Sequence, residues 1–193
     1  MKNILDYASL AFKVEPEKLH PEAYIFRNFI NSEDSEHFRY LLSQREPNPQ
    51  DGSVDLPELN LYRQKVLDLF NKEISVTSFD KVTVHNEGGM DLHHDVISYE
   101  ILDLLVPDNY PNKTKIKLPC YTFLFYLNDD YEGGEISYPE YNVDHKPTRG
   151  DLVIHTTEVI HGVKKIKSGM RYRMQGIVFD DVYDVLLQYL FAT

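Results

Sequence analysis

The stretch HNEGGMDLHHDVISYE, residues 85–100, sets two metal-ligating side chains close together. His93 and Asp95 are separated by one residue, so in extended chain both point to the same face while His94 points away. That face offers a neutral imidazole and a carboxylate. A stable catalytic metal site needs a third ligand from elsewhere. His161 in EVIHGV is the best candidate, and His155, which also ends an apolar strand in DLVIH, competes with it. Spacing alone does not choose between the two. Two histidines and one aspartate make the facial set of non-haem iron(II) sites, which leaves about three positions of an octahedral ion open. Open positions are what a co-substrate and oxygen require.

The chain after the second histidine adds to this. In HGVKKIKSGMRYRM, Ser168-Gly169 is a turn signal, and a strand-turn-strand folding back there predicts Arg171 or Arg173 close to His161. A guanidinium beside an open metal site can grip a remote carboxylate through two parallel charge-assisted hydrogen bonds. A small dicarboxylate spanning metal and arginine is then a natural ligand. The neighbouring KKIK run gives Arg173 a plainer role, a solvated charge on an edge strand.

The elements that must hold these residues change texture near Lys81. Before it the chain reads helical: ILDYASLAF over 4–12, a helix after Asn31-Ser32 with Ser32 as N-cap and Phe38, Leu41 and Leu42 inward, and a third opened by Leu56-Pro57 with Leu61, Val66, Leu67 and Phe70 as its apolar stripe. After it come short β-branched and aromatic runs: VTVH, YTFLFYL, EISYP, DLVIH, EVIHGV and RYRMQGIVF. Such runs at close intervals predict an all-β sandwich or barrel. Helices precede strands without βαβ alternation, which argues against a doubly wound parallel sheet. DVYDVLLQYL over 181–190 reads as a closing helix, and residues 96–119 form a connection long enough to be a lid over a site.

Taken together, HHD at 93–95, YLNDDYEGGEISYPE at 126–140, KPTRGDLVIH at 146–155 and HGV with SGMRY at 161–172 resemble the prolyl 4-hydroxylase branch of the 2-oxoglutarate and iron(II)-dependent dioxygenases. YIFRNFINSEDSEHF at 24–38 is a weaker echo of the strand and helix with which such domains begin. The resemblance spans roughly residues 22–180. It implies a mainly β, α+β chain with a double-stranded β-helix core, the jelly roll of cupin-like proteins, in one domain: 1–80 as helical support, 81–180 as core and 181–193 as closing helix. It also selects His161 over His155 and Arg171 over Arg173. His93, Asp95 and His161 become the iron ligands, and Arg171 the partner of the distal carboxylate of 2-oxoglutarate. Collagen-type relatives often carry lysine at the Arg171 position and oxygen-sensing ones arginine; either binds a carboxylate. Tyr126 matches a tyrosine that hydrogen-bonds the same carboxylate. Leu124 and Thr122, on its strand face by period two, line the pocket, and His85 falls near a tyrosine position on the first core strand. The implied cofactors are Fe(II), 2-oxoglutarate as co-substrate and O₂, with ascorbate as an accessory reductant. The implied reaction hydroxylates a substrate as 2-oxoglutarate becomes succinate and CO₂.

Composition narrows the substrate. The chain has 193 residues, 42% hydrophobic and 26% charged, and 31 Asp+Glu against 20 Lys+Arg give a net charge of −11. That field disfavours nucleic acid and anionic membrane surfaces. NKTKIK at 112–117 and KKIK at 164–167 are the only basic runs that oppose it. One cysteine, Cys120, excludes an intrachain disulfide or a Cys-based zinc cluster. The early Lys2 followed by Asp6 makes a poor signal peptide, and with no apolar run of membrane length the expected location is the cytoplasm. A peptide or protein substrate, basic or proline-containing, fits best; a free amino acid or other small molecule is the alternative. Other classes that fit the ligands are a cupin-like metal-binding or sensing protein without turnover, and a zinc-dependent hydrolase or isomerase. Arg171 discriminates against the hydrolase, which needs no fixed carboxylate anchor facing its metal.

Overall fold

The computed structural model describes residues 16–46, 53–69, 75–85, 88–95 and 119–179. The expected helices at 4–12 and 181–190 lie outside these residues, as does the expected lid segment up to residue 118.

Two antiparallel sheets face each other. The larger has the strand order β1 (Glu17–His20), β2 (Ala23–Phe26), β10 (Leu152–Thr156), β6 (Pro119–Tyr126), β12 (Arg171–Phe179), β4 (Ser75–His85) and β3 (Ser53–Asp55). The smaller runs β5 (Gly88–His93), β11 (His161–Ser168), β8 (Ile136–Tyr138) and β9 (Val143–His145), with β7 (Glu132–Gly133) also paired to β11. The helical reading of residues before Lys81 is therefore corrected: β3 lies in what read as a polar loop, β4 begins at Ser75, and the hairpin of β1 and β2 comes first. Residues 17–26 form a hairpin that extends the larger sheet, because β2 pairs with β10 from Leu152↔Phe26 to His155↔Ala23. A pairing to a strand more than a hundred residues away leaves no signal in local periodicity.

Helix α1 (Ser32–Ser43) begins one residue earlier than expected. Asn31, not Ser32, is the N-cap, and its Oδ1 accepts the Asp34 amide at 2.8 Å, an interaction worth about 1 kcal/mol. A short 3₁₀ turn at Pro57–Leu59 leads into α2 (Asn60–Leu69). Tyr62 and Val66 of this helix are buried along with Leu59 of the turn, whereas Leu61, expected inward, is 61% exposed. Val66 is inward as expected, and Tyr62 takes the place expected of Leu61. Of the expected stripe, Leu67 and Phe70 have side chains outside the described residues.

Both faces of the larger sheet are covered, and period two sorts its residues. Tyr121, Phe123 and Phe125 of β6, Leu152 and Ile154 of β10, Tyr24 and Phe26 of β2 and Met174 of β12 join Phe38, Leu42, Tyr62 and Val66 in one apolar cluster with the helices. The alternate residues Ala23, Ile25, Leu124, Tyr126 and Val153 pack with Ile136, Tyr138 and Val159 between the sheets. That double burial explains why YTFLFYL reads as a continuous apolar run rather than an alternating one.

Candidate functional site

Cross-strand register brings the two histidines together. β5 and β11 are antiparallel neighbours in which His161 stands opposite His93, their ring centroids 4.4 Å apart. The chain leaves β5 at His93, and the Asp95 amide donates to the Thr157 carbonyl at 3.0 Å, which turns the carboxylate back toward both rings. His94 goes the other way, as expected: it is exposed, with Nδ1 2.5 Å from the Glu158 carbonyl. Gly162 permits the close pairing, since a Cβ there would lie 2.9 Å from the Met90 carbonyl oxygen of β5.

One ligand atom from each of His93, Asp95 and His161 lies within 4.8 Å of the others. The distances are 3.5 Å from His93 Nε2 to Asp95 Oδ1 and 3.7 Å from His161 Nε2 to Asp95 Oδ2. Each ring is oriented by its own chain: His93 Nδ1 is 2.7 Å from the Asp91 carbonyl, and His161 Nδ1 is 3.1 Å from that of Val159. A carbonyl only accepts, so Nδ1 carries the proton in both and Nε2 keeps its lone pair for a metal. Burial lowers the His161 pKa, reinforced by His93 and Arg173 and opposed by Asp95, which holds the ring in the neutral form a metal needs. Thr122 Oγ1 donates to Asp95 Oδ2 at 2.5 Å. Two imidazole nitrogens and one carboxylate, oriented from behind and open on one side, fit a ferrous ion.

His155 lies behind this group. It is fully buried, edge-on to His161 at 4.3 Å, with Nδ1 3.0 Å from the Thr156 carbonyl and Nε2 3.9 Å from Asp95 Oδ2. It does not join the three-residue cluster. Burial, followed by the nearby His161, lowers its pKa.

Arg171 approaches by a different route from the expected one. β11 and β12 do not pair with each other; they belong to opposite sheets, and the Ser168-Gly169 turn carries the chain across the sandwich. Gly169 has φ +83°, and a Cβ would lie 2.9 Å from both the Asp130 oxygen and the Tyr131 Cα. The start of β12 is fixed by Asn128, whose Oδ1 accepts the Tyr172 amide at 2.8 Å and whose Nδ2 donates to the Met170 carbonyl at 2.6 Å. Arg171 is buried, donating from Nη1 to the Gly134 carbonyl at 3.2 Å, and its Nε has no hydrogen-bond partner among the described residues.

Tyr126 shares this space. β6 and β12 are in register with Arg173 opposite Tyr126, Gln175 opposite Leu124 and Ile177 opposite Thr122. A ladder therefore descends from Arg171 past Tyr126 and Leu124 to Thr122, whose hydroxyl holds Asp95. Tyr126 is locked at its backbone by Asp151 and Gly150, through N–H···O bonds of 3.0 and 2.8 Å. Asp151 is in turn buried, its Oδ2 accepting from Arg27 Nη1 at 2.6 Å. Burial pushes the Tyr126 phenol pKa up, and the Arg171 and Arg173 guanidiniums pull against that. The His85 backbone pairs with that of Arg171, while its side chain lies outside the described residues.

The larger correction concerns Arg173. It is no solvated edge charge: β12 is an interior strand flanked by β6 and β4, and Arg173 is 6% exposed. Thr122 was legible from strand period, whereas Asn128 and the buried state of Arg173 were not.

Residues 80–179 match the family model described as the 2OG-Fe(II) oxygenase superfamily, over half of the chain, and the chain belongs to that superfamily. It is a 2-oxoglutarate-dependent dioxygenase with Fe(II) and 2-oxoglutarate as its cofactors. Among curated proteins no sequence matches it. Among solved structures it is similar to the viral collagen prolyl hydroxylase of Paramecium Bursaria Chlorella virus-1 in its 2OG complex (13% identity, TM-score 0.56, 82% of this chain and 95% of that one). It is also similar to a Trichoplax adhaerens prolyl hydroxylase in complex with a hypoxia inducible factor peptide fragment (18%, 0.58, 92% and 88%). A third is a Pseudomonas putida prolyl-4-hydroxylase (15%, 0.54, 83% and 94%). At these identities the likeness establishes the fold, a jelly roll.

Proposed function

We propose that the protein is a peptidyl hydroxylase of the prolyl type, in which His93, Asp95 and His161 hold iron(II) while Arg171, Tyr126 and Leu124, with His85 alongside, receive 2-oxoglutarate. One observation carries the reading: a His-Asp-His cluster at one end of a ladder of inward residues whose other end is a buried arginine. Bound iron supplies the oxidative chemistry, in which 2-oxoglutarate, O₂ and a substrate C–H give succinate, CO₂ and a C–OH.

This chain's residues do the rest. The Asp91 and Val159 carbonyls hold the proton of each neutral ring on Nδ1, so that Nε2 of His93 and His161 is the nitrogen turned to the iron. Arg171 and the Tyr126 hydroxyl orient the distal carboxylate, and Leu124 excludes water from the chain between the two ends. No side-chain general base is required of them. A peptide substrate is supported by the peptide-bound relative, and the net charge of −11 favours a basic one. The exposed Met90 and Leu92 of β5 lead to His93 and offer apolar contact at the mouth. No described helix is long and apolar enough to cross a membrane.

The experiment is to load Fe(II) and 2-oxoglutarate anaerobically, admit O₂ and measure succinate with and without proline-containing basic peptides, using His93→Ala as control. Peptide-stimulated succinate with a matching mass gain of one oxygen on the peptide supports the proposal. Succinate at the His93→Ala level with every peptide would sink it.

A further inference from the structure

Arg173 has no part in the reading above, yet it is buried in the same inter-sheet space as Arg171. Alternate residues of a strand lie on one face, about 6.6–6.8 Å apart, a scale comparable to the separation of the two carboxylates of a five-carbon diacid. Arg173 Nη1 donates to Gln175 Oε1 at 2.6 Å, and its Nε has no hydrogen-bond partner among the described residues. Gln175 is the next residue of the row toward Thr122 and Asp95, so this bond draws the guanidinium toward the metal end and away from Arg171.

Neither arginine forms an ion pair with a carboxylate among the described residues, and the acidic group that acts on Arg173 there is Asp95, which is committed to the metal cluster. Burial and Arg171 both push the Arg173 pKa down, but a guanidinium does not give up its proton in a protein. Two buried cations on one face therefore call for more negative charge than the pocket's own residues contribute.

We propose that Arg173 is a second carboxylate-binding residue of the co-substrate pocket, contacting the metal-side carboxylate of a 2-oxo acid while Arg171 takes the distal one. The inference rests on the co-substrate reading above. A 2-oxo diacid is then gripped by a guanidinium at each end, and a 2-oxo monoacid at the metal end alone.

The test is calorimetric binding of 2-oxoglutarate and of pyruvate, a 2-oxo monoacid, to the full chain loaded with Mn(II), where no turnover is needed. Arg171→Gln is expected to weaken 2-oxoglutarate by about ten- to a hundredfold and leave pyruvate unchanged, whereas Arg173→Gln weakens both by a similar factor. Pyruvate binding unchanged in Arg173→Gln overturns the proposal. Unchanged 2-oxoglutarate binding in Arg171→Gln instead overturns the pocket assignment beneath it. Wild-type Mn(II) affinity and thermal midpoint certify that a variant is folded. Should Arg173→Gln fail that control, Arg173→Lys decides. Lysine keeps the charge but not the paired donors, so at least about a threefold loss for both ligands supports the role and wild-type pyruvate affinity refutes it.

Discussion

Thr122 offers the sharpest test of how the fold prepares the proposed metal ligands. Its hydroxyl donates to Asp95 Oδ2 at 2.5 Å and the residue is completely buried, so no water can replace the donor if it is lost. Thr122→Val removes that one hydrogen bond while keeping the shape of a β-branched residue in the interior of β6, where valine is well tolerated. A hydrogen bond to a charged group contributes about 1.5–3 kcal/mol. For a chain of this length that loss lowers the melting midpoint of the metal-free protein by roughly 3–12 °C.

The effect on the metal is separable. Asp95 Oδ1 faces His93, and with Oδ2 released the carboxylate is free to rotate out of that alignment. Loss of a group that orients a metal ligand typically weakens metal binding by about 10–100-fold. Titration of Mn(II) into metal-free protein, followed by EPR, measures this without catalysis, and Thr122→Ser should restore most of the affinity by restoring the donor. If Thr122→Val binds Mn(II) as tightly as wild type at an unchanged far-UV spectrum, the hydroxyl does not orient Asp95 and the reasoning fails.

Two further outcomes follow from other parts of the structure. His20, stacked on Tyr141 at 4.3 Å and edge-on to Tyr138, has its pKa lowered from 6.5 to about 4 by burial. The unfolded chain therefore takes up a proton near pH 6.5 that the folded one refuses until about pH 4, so stability present above pH 6.5 is lost as pH falls through that window, by on the order of 3 kcal/mol. Urea unfolding of wild type and His20→Phe at pH 7 and pH 4.5 checks this: the variant should show a smaller drop, and parallel curves would count against it. Gly169→Ala places a Cβ at φ +83° against Asp130 and Tyr131, which should cost about 1–3 kcal/mol and raise the KM for 2-oxoglutarate, because Arg171 follows two residues later. A stable variant with unchanged KM would show that the turn does not set the position of Arg171.

How much of this the residues announced depended on the range of the interaction that positions each one. His93 and Asp95 were legible from their spacing, although the strand ends at His93 and the Asp95–Thr157 bond does the turning, and the start of β12 was legible from the Ser168-Gly169 turn signal before it. His161 could not be separated from His155 by spacing, since both end apolar strands; the difference lies in the His161↔His93 register, a pairing across 68 residues of chain. Arg173 misled for a related reason. The basic KKIK run just upstream suggested a solvated edge, while in RYRMQGIVF polar residues alternate with apolar ones, a pattern that does not itself say which set faces water. Here Met174 and Tyr172 face the helices, so the polar set faces inward. Only the helical layer on the outer face, supplied by a remote part of the chain, settles the sense of the pattern.

That arrangement links stability to chemistry. The smaller sheet supplies the histidines through β5 and β11, while the larger supplies Thr122, Leu124, Tyr126 and Arg171 through β6 and β12, so the gap between the sheets sets the distance from the proposed metal site to the proposed anchor. The gap is held by the apolar cluster of Ile25, Leu124, Ile136, Tyr138 and Val153, and Leu124 and Tyr126 belong to the cluster and the pocket alike. A cavity-forming change at Ile136, which touches none of the ligands' own hydrogen bonds, should then loosen the carboxylate anchor while leaving the His93–His161 register intact. Its signature is a raised KM for 2-oxoglutarate at unchanged Mn(II) affinity, the reverse of what Thr122→Val produces. If Ile136→Ala lowered both affinities together, the two sheets would be acting as one rigid unit and the division of labour between them would be wrong.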